Sequence, residues 1–292
     1  MASLDDLKKR IKSVTSTQKI TKAMKMVAAA KLRKAQESAE KGRPYSQKMQ
    51  NIILNLTKSI SDPQNAPKLL IGTGQDKTYL CLVLTADRGL CGGFNSNICK
   101  LAKINFKKIL SEGKELKIIT VGIKGLDQIK REYGKYVIKK FSFKEKKKIT
   151  FNEAEIIGNE VIKLFNEGQF DKCILFYNNF KNVMTQIPQA QQIIPAELNT
   201  IKKDDDSSLA YEFEPDEDEI LEDLLPKNIS TQVFKAFLEN AASEQGSRMT
   251  AMDSATRNAG DLVDKLTITY NRSRQASITK ELIEIISGAE SL

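Results

Sequence analysis

The residues best placed for chemistry in this 292-residue chain lie in one run, Thr85-Ala-Asp-Arg-Gly-Leu-Cys-Gly-Gly-Phe-Asn95, directly after the apolar segment Tyr79–Leu84. A carboxylate and a guanidinium following a buried strand occupy the position where α/β folds place catalytic and ligand-binding groups. Gly72, Gly74, Gly89, Gly92 and Gly93 would let a backbone approach a phosphate, yet there is no G-x-x-x-x-G-K-[ST]. Gly89-Leu-Cys-Gly-Gly93 also departs from the dinucleotide spacing. The chain has no histidine, and Cys81, Cys91, Cys99 and Cys173 show neither C-x-x-C nor zinc-like spacing, which reads as buried or idle thiols in a reducing compartment. With no convincing nucleophile and base in combination, the residues predict no autonomous active site, no metal and no cofactor on this chain. A turn or salt bridge at Asp87 and Arg88 then explains the run: a tight, partly exposed loop leading into a helix.

The elements that must position this loop read as α/β. Tyr79–Leu84, Leu116–Val121 and Cys173–Tyr177 are nearly continuous apolar runs, as strands covered on both faces require. Segments 96–111, 124–133 and 153–167 are helical connectors, so an open, mostly parallel sheet is predicted. Val183–Gln192 reads as a further strand with Pro188 at an edge or bulge, and Ala210–Glu214 alternates like a half-exposed strand.

On either side of this middle lie long amphipathic segments. Leu4, Leu7, Ile11 and Val14 recur at three- and four-residue spacing after a Ser3 cap, with Asp5 and Asp6 in the first turn. The stripe thins into Ile20, Met24, Val27 and the alanines 28–30, and Gly42 with Pro44 predicts a kink or helix restart near 42–44. Fully helical, residues 3–59 would extend on the order of 85 Å. The second segment carries Ile229, Val233, Phe237, Met249, Met252, Ala259, Leu262 and Leu266, then an apolar tail at Ile278, Leu282 and Ile285 that stops at Gly288. Two such segments can pair antiparallel, each burying the other's seam, and polar seam residues such as Gln18, Thr21, Gln245 and Thr256 make poor glue for a permanent dimer. The organisation predicted is 1–60 as an N-terminal shaft helix, 61–227 as an α/β foot with an acidic segment at 204–223, and 228–292 as a C-terminal shaft helix.

Charge sharpens the division. Residues 1–60 hold 14 Lys or Arg against four acids, whereas 204–223 hold 11 Asp or Glu and no base. Such asymmetry suits charged partners, nucleic acid or an anionic membrane among them. No stretch reaches 18 uninterrupted apolar residues, and neither a signal's apolar core nor an Arg- and Ser-rich presequence is expected at the N-terminus.

Ile11–Lys34, Thr85–Asn95, Tyr211–Pro226, Glu239–Asp264 and Thr269–Gly288 together resemble the gamma subunit family of rotary ATP synthases, and the likeness covers essentially the whole chain. The resemblance implies a long antiparallel coiled coil of the N- and C-terminal helices on an α/β foot. It further implies a shaft turning inside a three-plus-three ring of alpha and beta subunits, one copy per complex. Its foot would join epsilon and the membrane c-ring, and nucleotide and magnesium would sit on the partner alpha and beta subunits. By resemblance, Arg274 and Gln275 contact a beta-subunit loop, Arg88 meets acidic residues of beta, and Met24, Lys25 and Met26 lie in the coupling segment of the shaft. Ile278, Leu282 and Ile285 would enter the collar of the ring. The paired-cysteine insertion of chloroplast members is missing, which implies a peripheral subunit on the cytoplasmic face of a bacterial inner membrane. Two other classes compete: a coiled-coil nucleic-acid-binding or scaffold protein, and an α/β enzyme with a helical arm. Basic residues spread around the helix, with no aromatic interleaving, argue against nucleic acid.

Overall fold

The computed structural model describes residues 3–59, 67–146, 149–196 and 217–290. The expected strand Ala210–Glu214 and most of the acidic segment lie outside the described residues. Long helices α1 (Leu4–Ser59) and α6 (Glu217–Glu290) flank α2 (Lys68–Ile71), β1 (Thr78–Leu84), α3 (Phe94–Ser111), β2 (Glu115–Val121), α4 (Ile123–Tyr133), β3 (Val137–Phe141), α5 (Phe151–Asn166), β4 (Lys172–Phe180) and β5 (Gln186–Ile194). The chain forms two compact units, Met1–Ala30 with Arg248–Leu292, and Lys31–Ser247.

The larger unit is built on a five-stranded sheet of order β3-β2-β1-β4-β5. The first four strands are parallel and β5 returns antiparallel to β4. Because side chains alternate across a strand, the apolar run of β1 serves both faces. Leu80, Leu82 and Leu84 pack with Ile157 and Val161 of α5 and with Val233 and Phe237 of α6. Cys81 and Val83 pack with Ile98 and Phe106 of α3 and with Ile129 of α4. Phe106 meets Tyr133 and Phe176 edge-on, with ring centroids 5.3 and 6.0 Å away. Burying one such ring contributes about 2–3 kcal/mol. All four cysteines are buried free thiols; burial pushes the Cys99 thiol up to about 11, which keeps it protonated at neutral pH. Pro188 lies in the edge strand, where a missing amide costs no ladder bond. The sequence reading omitted β3: it is short, and its exposed Lys139 and Lys140 hide the alternation while blunting the edge.

Three features of the long helices differ from expectation. First, α1 passes Pro44 without a helix restart. Pro44 and Glu40 are both exposed, so the Glu40 carbonyl that loses its amide partner faces water. Gly42 is a packing position: a Cβ there would stand 2.8 Å from Leu238 of α6, closer than carbon atoms can approach. Second, α6 begins eleven residues earlier than the expected 228, and runs through Pro226. Leu221 and Leu225 are buried against Met49, Ile53 and Leu56 of α1 and Leu70 of α2, which gives the acidic stretch an apolar face. Third, α6 continues past Gly288 to Glu290.

Candidate functional site

In the smaller unit the two helices pair antiparallel. Ser3 starts α1 as a cap, its Oγ accepting the Asp6 amide at 3.1 Å. Leu7, Ile11, Val14, Gln18, Thr21, Lys25 and Ala28 are buried or half-buried at a regular alternation of four and three residues, with Thr15 and Met24 half-buried beside them. The helix keeps its seam where the apolar stripe thins, because the seam positions there carry polar and small residues. Ile20 and Val27, expected on the stripe, are 57% and 55% exposed. The facing seam of α6 is Met252, Thr256, Ala259, Val263, Leu266 and Tyr270, with Leu262 exposed. Across it the Thr21 and Thr256 hydroxyls share a 2.8 Å hydrogen bond, Lys25 Nζ donates to Asp253 at 2.5 Å, and Gln18 lies against Gly260. The Lys25 ammonium holds the Asp253 carboxyl below its ordinary range.

That register sets Ser3 opposite roughly residue 275, so the last four turns of α6 run beyond the start of α1. Ile278, Leu282, Ile283, Ile285 and Ile286 are all exposed there. Five large aliphatic side chains on an unpaired helix form an apolar surface of the kind that marks a protein contact. Arg274 and Gln275 stand at the beginning of this overhang with exposed side chains, and Arg274 has no ion pair among the described residues. The three shaft residues diverge: Lys25 is turned into the seam, Met24 is half-buried and Met26 is 60% exposed.

In the larger unit, the C-terminal ends of the parallel strands are where an α/β fold would bind a ligand. Here side chains of the long helices occupy that place. The last pairing of β1 with β4 is Val83 with Phe176, so beyond it the β4 backbone has no strand on that side. Asn240 accepts the Asn178 amide at 2.8 Å and donates to the Leu84 carbonyl at 3.0 Å. Ser243 donates to the Asn178 carbonyl at 3.2 Å. Glu239 accepts the Phe180 amide at 3.0 Å, and Arg43 of α1 donates to the Phe180 carbonyl at 2.9 Å. Helix side chains thus substitute for a missing strand and satisfy the backbone groups that burial would otherwise orphan.

The glycine loop is held by α3, which follows it, and by α6. Asn95 Oδ1 accepts the Ala86 amide at 2.9 Å, Asn95 Nδ2 donates to Cys91 Sγ at 3.2 Å, and Ser247 Oγ donates to the Cys91 carbonyl at 2.6 Å. Between these anchors Leu90 adopts a left-handed backbone with φ of 61° and is 63% exposed. A non-glycine residue in that region costs about 1 kcal/mol or more, so the anchors over-determine its outward projection. Asp87 is spent on structure, accepting from the Ile123 amide at 3.0 Å, Ser142 Oγ at 2.9 Å and the Phe143 amide at 3.1 Å. Arg88 extends to solvent. It belongs to the larger unit, Arg274 to the smaller.

A cleft of about 430 Å³ lies between α1, β5 and α6 in the larger unit, lined by Gln50, Tyr177, Gln191, Gln232, Asn228 and Lys235 among others. Burial pushes the Tyr177 hydroxyl up to about 12, and it donates to Gln191 at 3.0 Å. The amides of this lining are neither nucleophiles nor bases at neutral pH.

Sequence reasoning missed Arg43, Glu239, Asn240, Ser243 and Asp253. The available signal was polar residues at apolar spacing: Ala236, Phe237, Asn240 and Ser243 share one buried helix face.

The family model for ATP synthase matches residues 3–292. An ATP synthase gamma chain of Pelagibacter ubique is 71% identical over 100% of both chains, and one of Sinorhizobium fredii is 56% identical over the same full span. Among solved structures, a chain of the Tetrahymena thermophila mitochondrial ATP synthase central stalk and c-ring aligns with a TM-score of 0.60 at 28% identity, covering 81% of this chain and 99% of that one. A chain of the Euglena gracilis mitochondrial ATP synthase aligns with a TM-score of 0.67 at 20% identity, covering 99% and 94%, a likeness of fold. No helix among the described residues is long and apolar enough to cross a membrane. With the antiparallel helices and the mostly parallel sheet in place, the full-length matches settle the family: the chain belongs to the ATP synthase gamma chains.

Proposed function

We propose that this chain is the central rotating shaft of an ATP synthase, coupling proton-driven rotation of a membrane c-ring to conformational changes at beta-subunit catalytic sites, or the reverse during hydrolysis. The observation that carries the reading is the antiparallel helix pair whose α6 end runs on alone with Ile278, Leu282, Ile283, Ile285 and Ile286 uncovered. An isolated helix of this length is marginal in water, so these turns need a sheath from other subunits. The sheath proposed is a ring of three alpha and three beta subunits around one gamma. Epsilon and the c-ring engage the α/β unit on the cytoplasmic face of a bacterial inner membrane. Nucleotide and magnesium belong to the alpha and beta subunits.

Within that reading, Arg274 and Gln275 make the angle-dependent contact with beta. A planar five-donor guanidinium beside a donor-acceptor amide engages only when the partner groups align. Arg88, next to the projecting Leu90, is a second contact with acidic groups of beta. Met24 and Met26 present soft apolar surface to the ring, whereas the Lys25–Asp253 pair fixes the register of the two helices. The polar, small-residue seam keeps the pair slender.

The test is the assembled complex carrying Arg274→Ala and Gln275→Ala. Assembly and fold should survive, because the partner groups are outside this chain, while coupled ATP synthesis should fall. Unchanged synthesis in a fully assembled complex would remove both residues from the contact. Micromolar affinity for duplex DNA at physiological salt would instead favour the nucleic-acid class.

A further inference from the structure

Arg43 and Glu239 form a closed joint that binds both long helices to the sheet. The Arg43 guanidinium donates through Nε to Glu239 Oε1 at 2.7 Å and through a terminal nitrogen to Oε2 at 3.1 Å. The same terminal nitrogen reaches the Phe180 carbonyl at 2.9 Å, and Glu239 Oε2 accepts the Phe180 amide at 3.0 Å. Three elements, α1, α6 and β4, therefore meet at four hydrogen bonds through two side chains. Glu239 is 3% exposed on its side chain, so the carboxylate is held out of water at a desolvation cost that the pair must offset.

Part of the pair's role is local: it satisfies the Phe180 amide and carbonyl, with Glu239 buried and Arg43 38% exposed. What the pair adds is direction. A forked guanidinium and a carboxylate accept one relative orientation, whereas aliphatic side chains slide over one another. Neighbouring side chains reinforce the anchoring on α6 alone, through Asn240 and Ser243. Arg43 extends it to α1.

We propose that the Arg43–Glu239–Phe180 joint is the torsional fastening of the shaft helices to the α/β unit, setting how stiffly rotation of that unit is passed to the helices. This rests on the rotor reading given above. Arg43 and Glu239 are positioning residues: neither is assigned a contact with the alpha or beta subunits, and their effect is on the angle between the driven and driving parts.

The experiment uses the intact synthase immobilised through its ring, with a probe on the c-ring, and reads the angular variance of the stalled rotor. Arg43→Gln with Glu239→Gln keeps donor and acceptor atoms for the Phe180 backbone but loses the charged fork, and should assemble with an unloaded hydrolysis rate near that of the parent and an angular variance raised about twofold. Arg43→Lys keeps the charge but loses the fork, and should lie between the two. Variance equal to the parent in the assembled double variant overturns the proposal. If that variant does not assemble, Arg43→Lys decides alone: raised variance supports the joint and parental variance overturns it. A parent complex whose probe does not turn on ATP addition would refute the rotor reading itself, a result distinct from an unchanged variance in a turning complex.

Discussion

Replacing Asn240 with Ala removes a single side chain that closes the open side of β4. Asn240 is 7% exposed, accepts the Asn178 amide at 2.8 Å and donates to the Leu84 carbonyl at 3.0 Å. Alanine leaves both backbone groups buried without those partners. Each orphaned group costs about 1–3 kcal/mol, so the variant should lose about 2–5 kcal/mol, with the lower end applying if water fills the vacated space. Asn240→Asp keeps the size and one acceptor, but sets a carboxylate oxygen against the Leu84 carbonyl, and should be at least as damaging. The assay is native-state hydrogen exchange at the core amides of β1 and β4, which open only when the larger unit opens. Their exchange should accelerate by about 30-fold to about 5 × 10³-fold. An acceleration below about twofold, under 0.5 kcal/mol or so, would refute the argument that helix side chains stand in for a strand here.

Three further outcomes follow from the same geometry. A Cβ at Gly158 of α5 would overlap the Ser230 hydroxyl of α6, so Gly158→Ala should destabilise the larger unit by about 1–3 kcal/mol in urea unfolding, and Ser230→Gly in the same chain should recover most of it. Hydrogen bonds from the Thr150 hydroxyl and amide hold the Glu153 carboxyl at about 2, below its ordinary value. The stability this contributes is present above about pH 4.5 and is lost as pH falls towards 2, so the gap between the parent and Glu153→Gln should close over that range in acid titration of unfolding. Thr21→Cys with Thr256→Cys should form a disulfide under mild oxidation, since the two hydroxyls already lie 2.8 Å apart and the native thiols are buried, whereas Thr21→Cys with Ser273→Cys should not.

The sheet strands and their helices were legible because burial on both faces leaves almost no choice of residue: Leu80 to Leu84 cannot be a surface segment. The ends of the long helices were less legible. Leu221 and Leu225 are two apolar residues in an acidic stretch, and their significance depends on Met49, Ile53 and Leu56, more than 160 positions away. Pro44 carries a strong local signal for a break, and exposure of the Glu40 carbonyl side of the helix removes its force. Asp87 had the local signature of a reactive carboxylate, and only the approach of residues 123, 142 and 143 shows it to be a structural acceptor.

Period, composition and the motifs of the chain ends sufficed to determine that two long helices enclose an α/β middle and that the chain resembles a rotary shaft, because amphipathic spacing and strand burial are written locally, residue by residue. Which polar groups pair across the seam, and which fasten the helices to the sheet, was decided by tertiary structure alone. Lys25, Arg43, Glu239 and Asn240 look like ordinary surface residues until distant backbone and side-chain groups arrive beside them, whereas Gln18, Thr21 and Thr256 already stand at seam spacing in the sequence. A polar side chain is defined by its partner, and partners separated by 62 to 228 residues of chain leave no periodic trace in either segment.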